Sequence, residues 1–181
     1  MDGMTTIPVG EDFTADDLDA LPDDGNRYEL VDGQLLVTPS PVRMHQRAVA
    51  ELFYLLRVAV PPTFEVILAP MDVRLGERLQ VQPDVLVVGD RREDRRVESP
   101  PLLVVEVLSP GTRGRDQVMK RAAYERSGIP SYWLVDLRGP SLTVLELQDG
   151  SYVEVARVVG EQSWTAVRPF PVTVVPAALL R

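Results

Sequence analysis

The chain has 181 residues, 45% hydrophobic and 25% charged, the makeup of a soluble globular protein and enough for one compact domain. No uncharged stretch approaches the ~20 apolar residues of a membrane span, and the acidic N-terminus lacks the basic start and apolar block of a secretory signal. With no cysteine there is no disulfide, no thiolate zinc site and no thiol nucleophile, and a cytoplasmic protein fits best.

The formal charge of −8 is unevenly spread. The first forty residues hold ten acids and one base, Arg27, while the segment from Arg91 to Arg126 counts nine bases against six acids. Net acidity therefore does not exclude a polyanionic partner, because a local basic face is what binds one. Lys120 is the only lysine and His45 the only histidine. These two are the first places to look for chemistry that a permanently protonated guanidinium does not perform.

In chain order, residues 1–26 read as an acidic arm and residues 27–181 as a single domain. The arm holds one short helix, capped by Thr14, with Asp16 and Asp17 at the positive end of its dipole and Leu18 and Leu21 as its apolar face. Tyr28 to Val37 reads as a hairpin turning at Asp32-Gly33, broken by Pro39 and Pro41. A helix runs from about Val42 to Val60 and stops at Pro61-Pro62, with His45, Val49, Leu52 and Leu56 on one face. Two long strands, Phe64 to Leu75 and Leu79 to Val88, flank a turn at Gly76-Glu77-Arg78. After a charged loop, Asp90 to Glu98, comes Pro101 to Ser109. Its core, "LLVVEVLS", is apolar on both faces and predicts a central strand covered from both sides. A helix over about Thr112 to Ser127 ends at Gly128 and Pro130. "SYWLVD" is a further buried strand, and a hairpin around Asp149-Gly150 follows. The tail from Pro169 holds one short edge strand at Val172 to Val175. The pattern is α/β with a mixed sheet.

Glu106 is the most informative residue. An ionised carboxylate inside an apolar strand is costly unless paired, hydrogen-bonded or bound to a cation. An arginine partner is the plainer explanation. Asp84, in "VQPDVLVV", is a second acid in an apolar strand, and alone it reads as a strand-entry residue beside Pro83. Because side chains alternate along strands, neighbouring strands in suitable register would bring Asp84 and Glu106 to one point of the same sheet face. Two carboxylates beside a phosphate form a Mg²⁺ site, with the Val107 carbonyl available to complete it. On the following helix Asp116, Lys120 and Tyr124 are spaced by four and share a face. The plainer reading is a surface pair worth ~0.3–0.5 kcal/mol. The functional one sets Lys120 over the carboxylates, where it orients a water or stabilises developing charge. Glu29, in "YELVDG", is a candidate third acid or a solvated hairpin position. His45 reads as a satisfied, partly buried histidine before it reads as a catalyst. Ser109 and Thr112 are helix-capping candidates. No Gly-rich phosphate loop, serine elbow or His-rich metal motif is present.

Three blocks, "YELVDGQLLVTPSP…H" at 28–45, "VQPDVLVV" at 81–88 and "LLVVEVLSPGTRGRDQVMKRAAYERSGIPSYWLVD" at 102–136, resemble the Uma-two family of restriction-endonuclease-like proteins, within the PD-(D/E)XK nuclease superfamily. The resemblance implies a restriction-endonuclease-like mixed central sheet flanked by helices, here with extra β-hairpins at its N- and C-terminal sides. It also implies a divalent-metal centre using Mg²⁺, or Mn²⁺ in its place. By position, Asp84 and Glu106 match the family's two motif acids. The lysine expected two residues after the second acid is Leu108 here, and Lys120 matches the helix lysine that takes over in this group. Glu29 matches the N-terminal acid and His45 the histidine near it. Asp116, Tyr124 and Trp133 match positions read as supporting. The implied activity is a metal-dependent endonuclease with DNA as partner and no membrane association. Many superfamily members act as dimers, so a homodimer is one expected assembly. The rival expectation is a catalytically inactive nuclease-fold module that binds or regulates. RNA or another phosphodiester is a third.

Overall fold

The computed structural model describes residues 13–22, 24–38, 40–89, 95–108 and 115–181, with the side chains of residues 115–117 outside that description. The expected caps Ser109 and Thr112, and the side chain of Asp116, therefore lie outside the described residues. The arm's helix forms as its sequence suggests, as α1 (Ala15–Leu18). The Thr14 hydroxyl accepts from the Asp17 amide and the Asp17 carboxylate takes the Thr14 amide, a reciprocal capping box. Ala15 and Leu18 bury against Leu30, with Leu35 beside them.

The strands β1 (Arg27–Val31) and β2 (Gln34–Thr38) make the expected hairpin. Its turn needs left-handed backbone at both Asp32 (φ 53°) and Gly33 (φ 78°). Arg78 packs over this turn and donates to the Asp32 carbonyl at 2.8 Å, while Arg126 grips the Asp32 carboxylate at 2.6 and 2.7 Å. A Cβ on Gly33 would lie 2.5 Å from the Arg78 guanidinium. Gly33→Ala is expected to cost about 1–2 kcal/mol from the left-handed backbone alone, read as a lower urea midpoint at unchanged m-value.

The two long strands expected at 64–75 and 79–88 are each divided. β3 (Phe64–Leu68) and β6 (Val85–Gly89) pair in one sheet; β4 (Val73–Gly76) and β5 (Leu79–Val81) pair in another. The breaks fall at Pro70 and Pro83, residues that cannot donate to a sheet ladder. One hairpin thus passes from a small sheet into a large one.

The small sheet is antiparallel, in the order β2-β1-β5-β4. The large sheet adds β7 (Leu103–Leu108), β8 (Ser131–Asp136), β9 (Ser141–Gln148) and β10 (Ser151–Val159) in the order β10-β9-β8-β7-β6-β3. It is mixed: β7 and β8 run parallel, joined through the helix α3 (Arg115–Arg126), and the other pairs are antiparallel. The tail strand β12 (Val172–Val174) pairs with β11 (Trp164–Ala166), followed by a short 3-10 helix, Pro176–Leu180.

Both faces of β7 are buried, as its composition predicts. The long helix α2 (Arg43–Ala59) lays Ala48, Val49, Leu52 and Leu56 on one face, against Leu103, Val105, Trp133 and Val135. On the other face Leu86, Val104 and Tyr132 meet Ala123 and Tyr124 of α3 together with Val31, Val73 and Val81 of the small sheet. Strand alternation then fixes the orientation of β1. Glu29 and Val31 look inward to the large sheet, while Leu30 looks back at α1. The described part of the acidic arm therefore packs behind the small sheet, on the side away from Glu29.

Candidate active site

The antiparallel register of β6 and β7 pairs Val85 with Val105 and Leu86 with Val104. One further step sets Asp84 opposite Glu106, on the sheet face that α3 covers. The Val107 amide donates to Asp84 Oδ2 at 2.8 Å and holds that carboxylate at the strand end. Across the small sheet, the Gln82 amide donates to Glu29 Oε1 at 2.8 Å. All three acids are buried, Glu29 to 1% exposure.

Lys120 reaches into this group from the inner face of α3. Its Nζ lies 2.8 Å from Glu29 Oε1 and 3.1 Å from Glu106 Oε1. It is 6% exposed, which excludes the surface ion pair that its helical spacing alone allows. Tyr124, one turn on, donates to Glu106 Oε1 at 2.8 Å. Of the expected residues, Glu29, Asp84, Glu106 and Lys120 come together, with Tyr124 as a direct hydrogen-bond partner.

His45 joins them from the first turn of α2, its Nε2 3.2 Å from Asp84 Oδ2. Arg27 is the residue that the sequence reading passed over. Its Nη1 donates to Asp84 Oδ1 at 3.2 Å and to the Gln82 carbonyl at 3.1 Å, and its Nε lies 3.6 Å from Glu29 Oε2. Two signals pointed to it: it is the sole base among ten acids, and it stands two residues before Glu29 on the same strand face.

The titration behaviour follows from this packing. Burial pushes the Glu106 pKa up; Lys120 opposes this, and the nearby Asp84 and Glu29 charges reinforce it, leaving the value raised. Burial works against the charge on Lys120 too, but Glu106 and Glu29 outweigh it and push its pKa up to about 12. Lys120 is thus an ammonium donor at neutral pH, not a base. Burial also opposes ionisation of Asp84, yet the His45 bond and charge, with Arg27 and the Val107 amide, hold its carboxyl below the usual range. His45 is raised for the matching reason: burial lowers it, and Asp84 with the Val107 backbone outweighs that loss.

The donor set fits a hard divalent cation. Such ions take carboxylate and carbonyl oxygens, and Glu29, Asp84, Glu106 and the Val107 carbonyl are the groups here that could supply them. The described residues include no ready cluster of three His, Asp or Glu side chains around a single point; instead Arg27, His45 and Lys120 bridge the acids.

The mixed sheet thus carries buried acids opposed across β6 and β7, with a helix lysine over them. The chain belongs to the Uma2 family, described as "Putative restriction endonuclease", which it matches over residues 15–178. Among solved structures it is similar to the crystal structure of "a putative nuclease belonging to DUF820" from Anabaena variabilis ATCC 29413. The TM-score is 0.67 and the identity 20%, with 87% of this chain and 89% of that one covered, a likeness of fold. Comparison with curated proteins gives no match. Among the described residues no helix is long and apolar enough to cross a membrane.

Proposed function

We propose that this protein is a divalent-metal-dependent endonuclease that hydrolyses phosphodiester bonds, with DNA as substrate and Mg²⁺, or Mn²⁺ in its place, as the metal. The observation that carries the reading is Lys120 buried between Glu29 and Glu106, with Asp84 opposite Glu106. Burying charges in this way is a poor route to stability, since apolar residues of similar volume usually do as well or better. Charged groups with displaced pKa values gathered at one end of a sheet are what phosphoryl chemistry uses.

Asp84, Glu106 and the Val107 carbonyl would hold the metal, with Glu29 at its edge. When bound, the metal supplies Lewis-acid polarisation of the phosphate and a more acidic water. The rest is done by the chain. Lys120, protonated throughout the neutral range, donates to an oxygen that gains charge as the phosphate is attacked. Tyr124 fixes Glu106 Oε1, and the Val107 amide fixes Asp84, so neither carboxylate has to reorganise. His45 and Arg27 hold Asp84 ionised.

Titration of the protein with Mg²⁺ and Mn²⁺, alongside incubation with plasmid and linear DNA, tests this directly. Saturable binding that Asp84→Asn removes, together with cutting by the wild type, is the expected result. A second reading draws on the same geometry: the acids already have Arg27, His45 and Lys120 as partners, so the cluster is close to charge-balanced without metal. That balance suits a catalytically inactive nuclease-fold module. No metal binding and no cleavage of DNA or RNA by the wild type would establish it and remove the enzyme.

A further inference from the structure

One face of α2 is spoken for by the core and by His45; the opposite face is exposed, with Arg47 also donating to the Leu180 carbonyl at 3.5 Å. At 100° per residue, Arg43, Arg47, Ala50 and Tyr54 fall on one outward stripe, flanked by Arg57 and Val58. All six are exposed, Tyr54 at 63% and Val58 at 69%. The helix carries one acid, Glu51, against three arginines, in a chain whose net charge is −8. Its first turn holds no acid, and the N-cap residue Val42 makes no side-chain hydrogen bond.

Three points favour one occupant. The stripe is basic where the protein as a whole is acidic, which suits a polyanion. An exposed tyrosine set among arginines is a stacking platform, of use to a ligand that offers a flat base as well as a phosphate. And the stripe begins on the same helical turn as His45, which from the opposite face of α2 reaches Asp84. From Arg43 to Arg57 the helix rises ~21 Å, long enough to lie along several nucleotides.

We infer that the outward face of α2 is a docking surface for a single-stranded stretch of nucleic acid. Arg43 and Arg47 contact successive phosphates and Tyr54 stacks on an unpaired base. The inference rests on the nuclease reading and narrows it, since a fully paired duplex presents Tyr54 with no base face. The backbone contacts position the strand without reading its sequence.

The test is fluorescence-anisotropy binding of a labelled 12-nucleotide single strand and of the matching duplex, in EDTA so that no turnover occurs. The proteins are wild type, Arg43→Ala/Arg47→Ala, Tyr54→Ala, and Arg157→Ala as a control on β10, at the far edge of the sheet. All four positions are exposed, so the fold is retained in each. The expected result is tighter binding of the single strand. The double arginine variant weakens it about tenfold or more and flattens the log Kd against log salt slope by about 1.4. Tyr54→Ala weakens it about tenfold by removing a stacked base, and Arg157→Ala leaves it unchanged. Wild-type binding that the α2 variants leave intact would overturn the surface while the nuclease reading stands. Equal losses for duplex and single strand would overturn the assignment to single strands. A wild-type dimer dissolved by Tyr54→Ala would make the face a self-association surface instead. No binding of either nucleic acid by the wild type would overturn the surface, and the nuclease reading is decided separately by the cleavage assay with Mg²⁺.

Discussion

Glu106→Gln is expected to reduce metal-dependent cleavage by about a thousandfold or more while leaving thermal stability within a few degrees of wild type. The substitution keeps the shape and an acceptor oxygen for Tyr124, whose hydroxyl lies 2.8 Å from Glu106 Oε1. It removes a negative charge that burial and the neighbouring Asp84 and Glu29 already disfavour, as the raised Glu106 pKa records. Glu29 remains as an ionic partner for Lys120 at 2.8 Å. The native state therefore loses little, whereas a hard cation loses an anionic ligand and the reaction loses preorganised charge, effects worth orders of magnitude in rate. Initial rates on plasmid DNA and a melting curve on the same sample check it. Full activity in the variant would reduce Glu106 to an ion-pair partner of Lys120. A large fall in melting temperature would instead show that the carboxylate charge is needed to hold α3 against the sheet.

Most of the site was legible because its residues break the pattern around them. Glu106 and Asp84 stand out as acids in otherwise apolar strands, and period-two alternation gives their shared face once the strands are neighbours. Lys120 stands out as the only lysine. Its helical spacing from Tyr124 puts the two on one face, but periodicity does not say whether that face meets solvent or a carboxylate. That answer needed the small sheet, whose β1 delivers Glu29 from 91 residues away in sequence. The partner of Arg27 was hidden for a related reason: Arg27 pairs with Asp84 across 57 residues, and no local signal marks that separation. In the fold, Pro70 and Pro83 are visible breaks in two long apolar runs, yet their consequence, one hairpin shared between two sheets, is a tertiary outcome. His45 shows the limit of helical periodicity. The stripe His45–Val49–Leu52–Leu56 correctly places it on the buried face of α2, but its partner is set by where the first turn of α2 meets the end of β6, and that meeting is fixed by packing.

Lys120→Met is expected to destabilise the protein by about 3–5 kcal/mol and to abolish cleavage, and a second substitution separates the two losses. Methionine fills the same volume but leaves Glu29 and Glu106 buried with their shared cation gone, and unpaired buried charge is where the large penalties arise. In a chain of this size that corresponds to a fall in melting temperature of roughly 10 °C. Lys120→Met/Glu29→Gln removes one of the stranded charges while keeping an acceptor for the Gln82 amide, which now bonds Glu29 Oε1. The double variant is expected to recover at least half of the lost stability. Cleavage is not expected to return with it, because no other side chain described around the acids is a lysine and the guanidinium of Arg27 is committed to Asp84 and the Gln82 carbonyl. Equilibrium unfolding in urea on wild type, Lys120→Met, Glu29→Gln and the double variant gives the coupling energy between Lys120 and Glu29, and a plasmid assay on all four gives the activity. Stability and activity recovering together would make Lys120 a structural counter-ion. Stability recovering alone, with Glu29→Gln by itself still cutting, would place the ammonium in the reaction, as the donor to oxygen charge that develops on the phosphate.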